Sequence, residues 1–182
     1  MKKERNIALA VCAVLAALIL LLTSQSSPLY PINLWGDANC LFTVGRVMKD
    51  GGVLYRDIYE QKGPLLYLIH ALAACLSDTS FWGVYIMEAL AMTASLYAAY
   101  RLMRLRAGMG FSLGAAAFFG AAFASCTAFI RGDSAEEFCL PLLMAALAIA
   151  YAEYGRRAKP MRMKRLFVCG VLAGCIATIK YT

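Results

Sequence analysis

Between the first two long apolar runs of this 182-residue chain, residues 35–72 set Asp37, Arg56, Asp57, Glu60 and Lys62 among Trp35, Tyr55, Tyr59 and Tyr67. A carboxylate beside a hydroxyl or amine can take its proton as that group attacks, and a lysine or arginine can hold a phosphate. A second acidic group, Asp133, Glu136 and Glu137, follows a later apolar run. Acids to activate an acceptor and bases to hold an anion are the parts of a group transfer from a phosphate-linked donor.

Each of these residues also has a plainer reading. Asp37 stands just before an apolar-periodic stretch and reads as a helix N-cap, or else as a general base. Lys62 precedes Gly63 and Pro64, and proline suits the first turn of a helix. The lysine then either snorkels to lipid headgroups or joins the free N–H groups of that turn in a phosphate cradle. Arg56 is a second phosphate clamp or a surface partner of Asp57 or Glu60. Ser134 and Glu137 have the spacing of a capping box, which leaves Glu136 or Asp133 to face a site. Tyr55, Tyr59 and Tyr67 read as an aromatic belt, with Tyr55 also placed to line a substrate site.

The elements that must position these residues are helical. The chain is 62% hydrophobic, too apolar for a soluble globule and suited to a polytopic bundle of transmembrane helices. Its net charge of +7 is spread in short clusters between apolar runs, as topology determinants are, so nucleic acid is not an expected partner. Seven cysteines without a CxxC pair point to neither a disulfide framework nor a metal site. His70, the only histidine, has no second nitrogen or sulfur ligand nearby.

Five segments are expected to cross, at about 7–23, 81–102, 111–130, 138–154 and 166–182, each near the roughly 17–25 residues that a hydrocarbon core demands. The first could be a signal peptide, but without a convincing cleavage site it reads as an uncleaved span. The outer loop, 24–80, should carry two juxtamembrane amphipathic helices, at about 38–50 with a glycine stop at Gly51 and Gly52, and at 64–76. If 64–76 does not cross, the basic clusters at 1–5, 101–106 and 156–165 all fall on the cytoplasmic side, and both acidic groups fall outside. The expected location is therefore the plasma membrane, multi-pass, with the N-terminus cytoplasmic. Within the spans, Glu88 costs about 2.5–3.5 kcal/mol on insertion scales and needs a partner or a proton. Glu153 is expected to pair with Arg156 and Arg157.

The order of Gly36-Asp37-Ala38-Asn39, Gly45-Arg46, Gly51-Gly52-Val53-Leu54-Tyr55-Arg56-Asp57, Gln61-Lys62-Gly63-Pro64-Leu65-Leu66-Tyr67 and Glu136-Glu137-Phe138-Cys139-Leu140-Pro141 resembles that of a known family. These are the polyprenyl-phosphate-dependent C-type membrane glycosyltransferases, related to aminoarabinose transferases and protein O-mannosyltransferases. The likeness covers the N-terminal part of a typical member, so the sequence reads as part of a longer chain.

The resemblance implies a polyprenyl-phosphate sugar donor, a lipid, glycan or protein acceptor, membrane lipids as surroundings, and inversion at the sugar. It makes Asp37 the base or acceptor-orienting acid, Lys62 the phosphate contact, and Glu136 or Glu137 the second outer acid. Arg56 and Tyr55 would assist in substrate binding. A glycine, Gly63, stands where many relatives have proline. No cofactor is demanded, and a divalent metal near Glu136 stays open. The alternative is a non-catalytic polytopic protein, a transporter or an assembly subunit, in which Glu88 would matter more than the outer loop.

Overall fold

Every apolar run anticipated above becomes helix in the computed structural model, which describes residues 2–154 and 162–180. The described residues form seven helices and no strand: α1 (Lys2–Thr23), α2 (Gly36–Lys49), α3 (Pro64–Leu76), α4 (Trp82–Met103), α5 (Met109–Ala124), α6 (Ala135–Tyr154) and α7 (Met163–Ile179). By length and composition, Lys2–Thr23 and Ala135–Glu153 are apolar enough to cross a membrane, while Pro64–Leu76 and Met109–Ala124 are shorter apolar helices. The end of the last expected span, 181–182, and most of the third basic cluster, 156–161, lie outside the described residues.

α1 packs through a stripe of Ala8, Cys12, Ala16 and Leu20, all fully buried and four residues apart. That spacing puts them on one helical face, and the small side chains let α4 and α5 approach through Met92, Leu96, Ala99, Tyr100 and Ala116. The other faces of α1 leave Leu9, Val14, Leu18 and Leu22 exposed, as do Phe111 and Phe118 of α5 and Phe167 and Val171 of α7. Apolar side chains exposed on this scale mark a surface made for lipid or a partner.

α2 and α3 form an antechamber beside this bundle. α2 buries Leu41 and Val44 against Leu66 and Tyr67 of α3, with Ala135 and Phe138 of α6 closing the cluster. It ends as its glycines demand: Asp50 N–H reaches Arg46 O at 3.0 Å, Gly52 N–H reaches Val47 O at 2.9 Å, and Gly51 takes φ +91°. Lys49, in the last turn of α2, pairs with Asp78 beyond α3 at 2.7 Å, which pulls the Asp78 carboxyl below its ordinary range.

The two ends of the bundle differ in charge. At one, Arg104 beyond α4 pairs with Glu4 of α1 at 2.7 Å, and Arg106 stands over the Tyr151 ring of α6 at 5.8 Å. Glu153 at that end pairs with Arg165; its expected partners Arg156 and Arg157 lie outside the described residues. At the other end α2 and α3 meet the connection between α5 and α6. That connection begins earlier than the expected 130, because Ser125 turns its hydroxyl back to Ala121 O at 2.8 Å and a chain of tight turns follows through Gly132.

Candidate functional site

Two acidic groups nearly a hundred residues apart in sequence meet at this second end. A cavity of about 210 Å³ is lined by Trp35, Asp37, Leu41, Lys62, Ile130, Asp133, Ser134, Ala135, Glu136 and Lys180. Thus the structure brings together Asp37, Lys62 and Glu136, and adds Asp133 and Lys180.

Asp37 does not cap α2. The helix starts one residue earlier, after Trp35 in extended conformation (φ −82°, ψ 117°), without a side-chain cap bond. Asn33 does the local bracing instead: its Oδ1 accepts the Trp35 N–H at 2.9 Å, and its carbonyl accepts from Asn39 Nδ2 at 2.9 Å. Asp37 is thereby left exposed in the first turn, where the helix dipole favours a carboxylate and where it faces the cavity.

Lys62 is held by its backbone. Its N–H donates to Tyr67 Oη at 2.7 Å and Glu60 Oε2 at 3.1 Å, while its carbonyl accepts the Tyr55 hydroxyl at 2.9 Å. Tyr67 in turn donates a short bond to Glu60, and burial together with that carboxylate pushes the phenol's pKa upward. Tyr55 therefore positions Lys62 and does not line the cavity. Arg56 also lies outside the cavity, forked onto Asp57 through two contacts of 2.8 Å. The Asp57 carboxyl sits below its ordinary range because of that guanidinium and the Val53 N–H. The surface-partner reading of Arg56 is the one that the geometry adopts.

Lys180 reaches the cavity because the end of α7 docks on the start of α3. Gly63 N–H donates to Ile179 O at 3.0 Å, and a Cβ on Gly63 would stand 2.0 Å from Thr178 O. A proline here would lose that hydrogen bond as well as collide, which accounts for the glycine. Lys180 Nζ then meets Glu136 Oε1 at 2.5 Å. Lys62 lines the same cavity.

Glu137 turns away. Its N–H takes the Ser134 hydroxyl at 3.2 Å, half of the expected capping box, but its Oε2 accepts from Asp133 N–H at 3.1 Å and not from Ser134. It is buried in the same cluster as Glu88, both carboxyl groups meeting the Asp133 N–H. A role in substrate binding does not fit that position. Glu88 finds the partners its burial demands: the Ser24 hydroxyl at 2.9 and 3.0 Å and the Asp133 N–H at 2.8 Å. Gly132 passes this cluster at φ +85°, where a Cβ would lie 2.3 Å from Ser24 Oγ.

His70 completes the cluster. Its Nδ1 faces Leu66 O at 2.8 Å, and a carbonyl only accepts, so Nδ1 carries a proton. Its Nε2 stands 2.8 Å from Asp133 Oδ1, and both side chains are buried. Burial lowers the imidazole pKa most, but Asp133, the Leu66 carbonyl and Glu88 together outweigh it, and the net shift is upward. With Nδ1 protonated, the Nε2–Asp133 contact holds one further proton, and the upward shift favours its place on the imidazole.

Beside the polar cavity runs an apolar groove of about 700 Å³ lined by Phe123, Glu136, Cys139, Leu140, Leu143, Ala173, Ile176, Ala177 and Lys180. It shares Glu136 and Lys180 with the cavity, so one ion pair stands at the junction of a charged chamber and a greasy channel. Among the described residues, no group of three or more His, Cys, Asp or Glu is arranged to hold a metal ion. The cavity carboxylates suit one poorly, since Glu136 is engaged by Lys180 and Asp133 by His70. No family model, curated protein or solved structure matches the chain.

Proposed function

We propose that this chain is the catalytic N-terminal part of a polytopic membrane glycosyltransferase that takes a sugar from a polyprenyl phosphate on the outer face of the membrane. The observation that carries the reading is the shared border of the two cavities: Glu136 and Lys180 belong both to the polar chamber with Asp37 and Lys62 and to the apolar groove. A lipid phosphate has that form, a charged head on an apolar chain. The gathering of Glu4, Arg104 and Arg106 at the opposite end supports a cytoplasmic N-terminus with α3 outside the membrane core.

In this reading Lys62 holds the donor phosphate, and the polyprenyl chain lies along α6 and α7. Asp37, at the exposed rim, takes the proton from the acceptor hydroxyl as its oxygen bonds to the anomeric carbon. The bond from that carbon to the phosphate oxygen breaks, and its electron pair leaves with the phosphate. Lysine beside the leaving group stabilises the charge that grows there.

The test is donor binding and sugar transfer by the intact chain. Lys62→Met is expected to weaken binding of a polyprenyl-phosphate sugar about tenfold, the scale of one charge-assisted contact of about 1.4 kcal/mol. Arg56→Met, which removes an equally positive charge outside the cavity, should change it less than twofold, a few tenths of a kcal/mol. Equal losses from the two would mean that only general surface charge matters.

A further inference from the structure

We infer that Glu136 is a carboxylate stand-in for the donor phosphate: it occupies Lys180 until a lipid phosphate displaces it, and Lys180 then becomes the second cation on that phosphate. This rests on the reading of the site as a lipid-phosphate site, and it adds a ligand, Lys180, and an exchange.

The geometry has three parts. Glu136 Oε1 lies 2.5 Å from Lys180 Nζ, so the ammonium is already engaged by an anion. Lys62 lines the same cavity as Glu136 and Lys180, which sets a second cation around the space the pair borders. Both members of the pair are only partly buried, with side-chain exposures of 32% for Lys180 and 38% for Glu136, so either can swing without unpacking the core. A carboxylate paired with one lysine, in a cavity that a second lysine also lines, at the head of an apolar groove, holds the place a phosphate would take.

The chemistry sets the direction of exchange. A phosphate on a free lipid can take a position between the lysines and meet both at once, whereas Glu136, tethered to α6, bonds Lys180 alone. Once displaced, the carboxylate is repelled by the phosphate and swings away from it, which its partial exposure allows. The Tyr67 hydroxyl and the Glu60 carboxylate fix the backbone of Lys62, and the Gly63–Ile179 hydrogen bond fixes the root of Lys180, so both lysines stay rooted at the cavity while Glu136 moves.

This exchange has a signature that a structural ion pair lacks. Removing the Glu136 charge takes away the phosphate's competitor, so Glu136→Gln should tighten binding. Removing Lys180 should weaken it.

The experiment measures equilibrium binding of farnesyl phosphate, inorganic phosphate and farnesol to the intact chain in detergent, with thermal unfolding to show that each variant is folded. Glu136→Gln is expected to bind farnesyl phosphate about threefold to tenfold tighter, and Lys180→Met about tenfold weaker. The double variant should fall between them, and Glu136→Asp, which keeps the competing charge, should not tighten. Farnesol should respond to neither change. Weaker or unchanged farnesyl phosphate binding by folded Glu136→Gln overturns the exchange, as does a complete lack of binding by the unaltered chain. Equal affinity for inorganic phosphate overturns the lipid-borne source. Sugar transfer is assayed separately, so the expected binding pattern without transfer would retain the exchange and refute the transferase reading.

Discussion

Replacing His70 with Asn is the sharpest test of how the site is built. The imidazole and its partner Asp133 are both buried, with side-chain exposures of 1% and 0%. Asparagine removes the positive charge and leaves Asp133 facing Glu88 of α4 and Glu137 of α6, two more acids in the same cluster. Breaking a buried ion pair from one side costs about 3–5 kcal/mol, because the remaining charge has no compensation. That is a large share of the roughly 5–15 kcal/mol by which folded domains are stable. His70→Asn together with Asp133→Asn removes both charges and should recover much of the loss, a coupling of the kind a double-mutant cycle isolates.

The pH dependence has a definite sign. The folded imidazole pKa is raised by Asp133, with Glu88 adding to the effect, above the ordinary value of about 6.5. Its stabilisation is therefore fully present below about pH 6.5 and is lost as pH rises through the folded value. Denaturant unfolding in detergent at a series of pH values reads both effects. The gap in stability between the unaltered chain and His70→Asn should be widest in mild acid and narrow toward alkaline pH. A loss under about 1 kcal/mol, or a gap that widens with pH, would refute the imidazolium–carboxylate assignment.

Other predictions test the remaining parts of the site. Gly63→Ala should cost about 1–3 kcal/mol in unfolding experiments, since its Cβ would stand 2.0 Å from Thr178 O, and should weaken lipid-phosphate binding by moving Lys180; unchanged binding would detach Lys180 from the site. Asp37→Asn should leave unfolding within about 0.5 kcal/mol, because Asp37 makes no cap bond, and should abolish sugar transfer; retained transfer would remove it as the base. In a background without native cysteines, Asp57→Cys should be labelled from outside and Arg101→Cys from inside, and labelling of both from one side would overturn the orientation.

Much of this arrangement was legible in the sequence, and the reasons are local. Helix α3 has the bounds that Pro64 and the apolar run set, and α2 stops where Gly51 and Gly52 permit the left-handed turn. The meeting of the two acidic groups at one end followed from sorting charges. What a single sequence hid was contact between distant segments. Asp37 carries an N-cap residue type, yet Asn33 and the extended Trp35 open the helix before it, and no periodicity reveals that. Arg56 could have faced a phosphate, but its neighbour Asp57 offers a fork at no loop-closure cost. Glu136 and Glu137 are adjacent and chemically alike. The turn through Gly132 and Asp133, with φ of 85° and 54°, sends one toward the lysines and the other toward Glu88.

Lys180 gave a faint signal in sequence, a lone cation closing an apolar run, and the missing half of that signal was Gly63. A glycine before the proline lets the end of α7 approach the start of α3 closely enough to hydrogen-bond. That approach turns a lysine far away in sequence into a neighbour of Lys62. Two lysines then line one cavity with Glu136, and in the proposed exchange an incoming phosphate must win that place from the carboxylate by competition. Gly63 is thus tied to the second lysine: a proline there would exclude the α7 contact, and with it the placement of Lys180.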